Sequence, residues 1–188
     1  MLTCLMLSEK LHAQKSFLKA LVPHHVKVQH GGGIGYLALG PGYTSRNKKI
    51  EYDLLYGYLP EKIGGVEIHA ATLKCSWIPF NIETNEIVVK PLVTGGLLNY
   101  AFGKQYFSFN PPNYPYDYYN FPTAFNSAIF LGGMAGKNFG SPGKGKDISV
   151  YYELLIFDRE LISYISNTRG LDFNDIFTLG FGLKFAFK

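Results

Sequence analysis

The chain has 188 residues, enough for one domain with a sizeable core, and only 17 % are charged, well below an ordinary soluble domain. Aromatic residues make up 16 % and Gly and Pro contribute 21 and 10 residues; the chain is too apolar to be disordered, yet no stretch approaches the roughly 20 apolar residues of a spanning helix. The formal charge of +4 is spread over scattered lysines, so there is no basic stripe and nucleic acid is not an expected partner.

The amino terminus, Met1–Gln14, reads MLTCLMLSEKLHAQ. An apolar stub is followed by a polar stretch and Ala13-Gln14, an ending that resembles the export signals of Bacteroidota proteins. Residues 1–14 are accordingly expected to be a signal peptide and 15–188 the mature domain; a short amphipathic helix is the alternative. Cys4 and Cys75 are too few for a disulfide framework, and Cys4 would leave with the signal.

From about residue 25 onward the sequence alternates with period two. Eight strands are expected, over 25–43, 48–59, 65–78, 87–103, 124–135, 148–157, 160–167 and 175–187. The first is long and is expected to bend at Gly31-Gly32-Gly33. In the second, Ile50, Tyr52, Leu54, Tyr56 and Tyr58 share a face opposite Glu51, Asp53, Leu55 and Gly57. In the sixth, Ile148, Val150, Tyr152, Leu154 and Ile156 alternate with Ser149, Tyr151, Glu153 and Leu155. In the last, Phe177, Leu179, Phe181, Leu183, Phe185 and Phe187 oppose Thr178, Gly180, Gly182, Lys184 and Ala186. A soluble barrel would keep its apolar face inside and a well-charged face in water. Here the second face is mostly small residues, which suits a crowded lumen and predicts an all-β, antiparallel transmembrane barrel, apolar side outward. Glu51, Asp53, Glu67, His69, Glu153 and Lys184 should then point inward. Ending on alternating aromatics resembles the carboxy-terminal assembly signal of bacterial outer-membrane barrels, which makes outer-membrane lipid or lipopolysaccharide the expected surroundings. With both termini in the periplasm, Thr44–Asn47, Phe80–Glu86, Gly136–Asp147 and Thr168–Asn174 should face outward. Lys104–Thr123 should lie on the periplasmic side, although turns there are usually short.

Lys104–Thr123 is dense in Tyr and Pro. Tyr106, Phe107, Tyr114, Tyr116, Tyr118 and Tyr119 are candidates for binding an envelope protein partner, since Tyr joins an apolar body to a polar tip. An interfacial girdle with a self-packed loop explains them equally well. The run from Gly140 to Asp147 approaches a phosphate-binding loop, but Asp147 stands where the Mg²⁺-holding hydroxyl belongs and Pro142 interrupts it. It is expected to be a surface loop, and no cofactor is expected. His30-Gly31-Gly32-Gly33 lacks the G-x-S-x-G elbow that an oxyanion turn serves. His24-His25 has no Cys, Asp or Glu nearby in sequence, so no metal site is expected.

Tyr164-Ile165-Ser166-Asn167 faintly resembles the H-x-S-N motif of the lipid A 3-O-deacylases, eight-stranded outer-membrane barrels. The resemblance covers about the last 25 residues and implies Ser166 as nucleophile, Asn167 beside it, and Asp172 (or Asp175) as the acid that orients a histidine. Tyr164 stands in the histidine position, and a phenol is a poor base toward serine. The expected function is therefore a structural or interaction role in the bacterial outer membrane, not a pore. The alternatives are a lipid A ester hydrolase and a soluble, lipocalin-like carrier of apolar ligands.

Overall fold

The computed structural model describes residues 22–103, 105–107, 123–139, 146–166 and 172–187. Nine strands follow in order: β1 (His25–Gly31), β2 (Leu37–Thr44), β3 (Ile50–Leu59), β4 (Ile68–Trp77), β5 (Ile82–Glu83), β6 (Ile87–Phe102), β7 (Phe125–Asn138), β8 (Lys146–Phe157) and β9 (Thr178–Phe187). Two helices, α1 (Glu61–Gly64) and α2 (Asp158–Ser166), and a 3-10 turn (Phe173–Ile176) lie between strands. Neighbouring strands pair antiparallel; β9 returns to β1, and β4 pairs with β6. Eight strands thus close a barrel, while the two-residue β5 lies against β6 beyond the reach of β4.

The closed eight-stranded, all-β antiparallel barrel is as expected, but two of its elements differ from the sequence reading. The expected first strand, 25–43, is a hairpin: Gly31, Gly32 and Gly33 have φ of 71°, 70° and 68°, and the chain reverses there rather than bending. Such left-handed backbone is easy for glycine and costly for residues with a Cβ. The expected seventh strand, 160–167, is instead α2. Leu161, Ile162 and Ile165 fall at helical spacing, and Asp158 and Glu160 place acidic side chains in the first turn, where they complement the helix dipole. One strand is gained and one lost.

The exchange reverses the connections. The strand ends joined by 45–49, 78–86 and 139–145 are at the end where β1 begins and β9 finishes (the lower end); those joined by 32–36, 60–67, 103–124 and 158–177 are at the upper end. The connections Thr44–Asn47, Phe80–Glu86 and Gly136–Asp147, expected opposite the termini, are on their side. Lys104–Thr123, expected with the termini, joins strands at the upper end. The two longest connections share that end.

Alternation along each strand sorts side chains by chemistry, in the opposite sense to a water-soluble domain. Glu51, Asp53, Glu153 and Lys184 point into the lumen as expected, with His25, Lys27, Gln29, Lys74 and Lys90. Leu54, Leu73, Leu98, Ile129, Leu131 and Val150 point outward and are more than half exposed. Glycines on the inner face make room for the long polar side chains: a Cβ on Gly42 would collide with the His25 ring and the Asp53 carboxylate, and one on Gly182 with Tyr151. Apolar side chains, among them Ile34, Leu55, Leu97, Phe130 and Leu155, complete the filling. Glu67 and His69, expected inside, are outside. Glu67 precedes β4, and His69 lies on the outer wall between Tyr56 and Tyr58, with ring centroids 5.9 and 5.2 Å away. Their partners are found there too: the Tyr58 hydroxyl donates to Glu67 at 2.9 Å, and the Tyr56 hydroxyl is 2.5 Å from His69 Nδ1.

Candidate functional site

The densest chemistry is inside the barrel. On β3, residues 51 and 53 share the inner face, so two carboxylates enter the lumen one above the other. Asp53 meets β1: Lys27 Nζ donates to Oδ2 at 2.7 Å, and His25 Nε2 is 2.7 Å from Oδ1. Glu51 gathers lysines from three strands. Lys27 lies 3.2 Å away, Lys90 donates at 2.9 Å, and Lys184 is hydrogen-bonded to the same Glu51 oxygen as Lys90. Across the lumen, Lys74 pairs with Glu153 and donates to Gln29 at 3.2 Å. Tyr151 donates to the same Gln29 oxygen, and Lys74 lies 4.6 Å from the centre of the Phe130 ring. Thr72 donates to Asn99 at 3.0 Å above this layer.

Among the described residues, four buried lysines therefore face three buried acids, Glu51, Asp53 and Glu153. Charges so far from water persist only when paired and hydrogen-bonded. His25, Glu51 and Asp53 also bring one ligand atom each within 4.8 Å of one another, the separation of metal ligands. The ammonium group of Lys27 already touches both carboxylates, and Lys90 and Lys184 take the remaining charge of Glu51. The cluster is an ion-pair network in which every buried acid is held by at least one lysine, and a metal would have to displace lysines to enter.

A polar mouth lies at each end of the network. The lower one, about 280 Å³, is lined by His24, Arg46, Lys48, Glu83 and Asp147, with Glu51, Lys90 and Lys184 within it. Lys48 donates to both oxygens of Glu83, at 2.8 and 3.1 Å, and Asn81 donates at 2.7 Å. Burial works against the Glu83 charge, but these partners outweigh it and hold the carboxyl below its ordinary range. The upper cavity, also about 280 Å³, has an apolar wall of Ile34, Leu59, Ile68 and Ala101, with Asn99, Asn126, Tyr106, Thr123 and Arg159 supplying polar groups.

The residues singled out in the sequence scatter around the upper end. Ser166 is exposed at the last position of α2, on a helix and not on the strand expected, and Asp172 is exposed just before the 3-10 turn. Asn167 lies outside the described residues. No histidine among the described residues is hydrogen-bonded to Ser166. Tyr106 and Phe107 are half-buried at the upper rim, where the Phe107 amide donates to Thr123 Oγ1 at 3.0 Å. Tyr114, Tyr116, Tyr118 and Tyr119 lie outside the described residues, as do residues 140–145 and the expected signal segment with Cys4. The lumen network was missed as a site. Its only sequence signal was charge on the small-residue face, and its partners stand from 24 positions apart (Lys27 and Glu51) to 133 (Glu51 and Lys184).

No protein-family model matches the chain, and no curated protein or solved structure does either.

Proposed function

We propose that this protein is a transmembrane barrel of a bacterial outer membrane with a structural or interaction role, and not a pore. The observation that carries this reading is the inverted burial: Lys27, Lys74, Glu51 and Asp53 are at most 1 % exposed while Leu54, Ile129 and Leu131 are 56, 61 and 53 % exposed. In water, both halves of that pattern are costly; a belt of outward Leu, Ile and Val in hydrocarbon is not. Two further features support it. Aromatic side chains ring both ends of the outer wall, with Tyr56, Tyr58, Tyr100, Phe102 and Phe125 above and Tyr52, Trp77, Phe185 and Phe187 below. The connections at the end of the termini are all short, and the two longest join strands at the other end, the usual arrangement of periplasmic turns and extracellular loops.

Eight strands leave no aqueous channel, and ion pairs fill the lumen here. That filling also speaks against a carrier of apolar ligands, which needs an apolar interior cavity. In this orientation the ends of β6 and β7 that the Tyr-rich connection joins face the cell surface, the side on which an envelope partner or lipopolysaccharide is met. The hydrolase alternative keeps an exposed Ser166 at the same rim, but no histidine among the described residues is hydrogen-bonded to it.

Fractionation of the expressing cells tests the reading. The protein is expected in the outer membrane, extractable only with detergent, and migrating differently on a denaturing gel before and after boiling. Recovery as a soluble monomer without detergent would sink it. Lipid A mass spectra from cells with and without the gene are expected to be identical; a lost acyl chain would restore the hydrolase.

A further inference from the structure

Helix α2 repeats on a small scale the inversion of the barrel. An amphipathic helix packed on a soluble domain buries its apolar stripe and exposes its polar side. In α2 no residue is buried, and Leu161, Ile162 and Ile165, which share one side, are 38, 40 and 67 % exposed. At its first turn the helix is hydrogen-bonded to β7. The Asp158 carboxylate accepts from the Ser127 amide at 3.1 Å and from its hydroxyl at 2.8 Å, and Arg159 donates to the Phe125 carbonyl at 3.2 Å.

Ser127 decides where the apolar side lies. It stands on the outer face of β7, between Phe125 and Ile129, both more than half exposed. Its bond to Asp158 fastens the start of α2 to the outer wall at the upper rim, and at 3.6 residues per turn Leu161, Ile162 and Ile165 leave the helix within about 60° of Asp158, on the side that meets that wall. Nine residues span roughly 14 Å at 1.5 Å each, too short to cross a bilayer and suited to lying along its surface. Burial pushes the Glu160 carboxyl above its ordinary range, against the hydrogen bond it shares with the Phe157 backbone.

We propose that α2 lies in the outer-leaflet interface with Leu161, Ile162 and Ile165 in the acyl chains, so that lipid, and not a protein partner, covers this part of the rim. The proposal rests on the membrane reading above, and the test separates the two. Trp77, the chain's one tryptophan, is replaced by Phe, and a single Trp is placed at Ile165 or Leu161 on α2, or at Ile129 on the belt. Each variant is folded into phosphatidylcholine vesicles containing lipids brominated at shallow or deep acyl positions. The proposal expects Ile165→Trp and Leu161→Trp to emit blue-shifted and to lose emission most with shallow bromines, while Ile129→Trp is quenched by deeper ones. Red-shifted α2 emission quenched by iodide, with Ile129→Trp still quenched by lipid, overturns the proposal and leaves the barrel in the membrane. Iodide quenching at Ile129 as well would overturn the membrane reading itself. Because the vesicles hold no other protein, lipid quenching on α2 assigns its partner.

Discussion

Replacing Glu51 by Gln is expected to destabilise the barrel by about 3–5 kcal/mol, the cost of stranding buried charge when one partner of an ion pair is removed. Glu51 is fully buried and is approached by Lys27, Lys90 and Lys184, from β1, β6 and β9. Without its charge, Lys27 retains Asp53, but Lys90 and Lys184 lose the only acidic partner within 4.0 Å that either has among the described residues. Denaturant titration of the vesicle-folded protein, followed by Trp77 fluorescence, reads the loss as a lower midpoint. Lys184→Met in the same background should return part of it, because one orphaned cation is removed along with the anion. A double variant as unstable as the sum of the singles would mean that the two residues do not act as a pair.

The second large effect belongs to the outer wall. Leu54 is central in β3, faces outward and is 56 % exposed. Leu54→Arg should cost about 2–4 kcal/mol if that surface meets the middle of a bilayer. On a soluble barrel the same change at an exposed site would fall within about 0.5 kcal/mol of neutral. The same titration distinguishes them, and an unchanged midpoint would count against lipid contact at that height.

Much of the wall was legible because strand periodicity repeats in the sequence without interruption. Residues 50–58 and 148–156 alternate so regularly that the inner and outer faces assigned from sequence are the ones observed. The β1–β2 hairpin was not legible, since Val26, Val28 and His30 alternate before the glycines and Leu37 and Leu39 after them, and a bend between the two runs accounts for their change of phase as readily as a reversal. Only the three left-handed glycines mark the reversal. Helix α2 was hidden for a different reason. Leu161, Ile162 and Ile165 are strand-compatible residues, and the helix does not bury them, so neither composition nor an expected buried stripe announced it. These two differences cancel in the strand count but not in the topology, which is why the Tyr-rich connection changes ends.

The lumen network was the least legible feature. His25 seemed isolated because no acid stands near it in the chain, yet barrel closure and register bring Asp53 within 2.7 Å. His69 and Glu67 mislead in the opposite way. A polar residue in a strand suggests an inward side chain, but near a rim it is satisfied outside by Tyr56 and Tyr58. Depth along the strand, which the sequence pattern does not contain, decides such cases.

The account depends most on what touches the outer wall, and Trp77 reports on that without any substitution. It is the last residue of β4, on the outer face at the lower end, and 52 % exposed. In vesicles of brominated phosphatidylcholine its fluorescence should be blue-shifted, quenched by bromines near the headgroup end of the acyl chains more than by deep ones, and shielded from iodide. Red-shifted emission, indifferent to brominated lipid and quenched by iodide, would place the wall in water and contradict the transmembrane barrel.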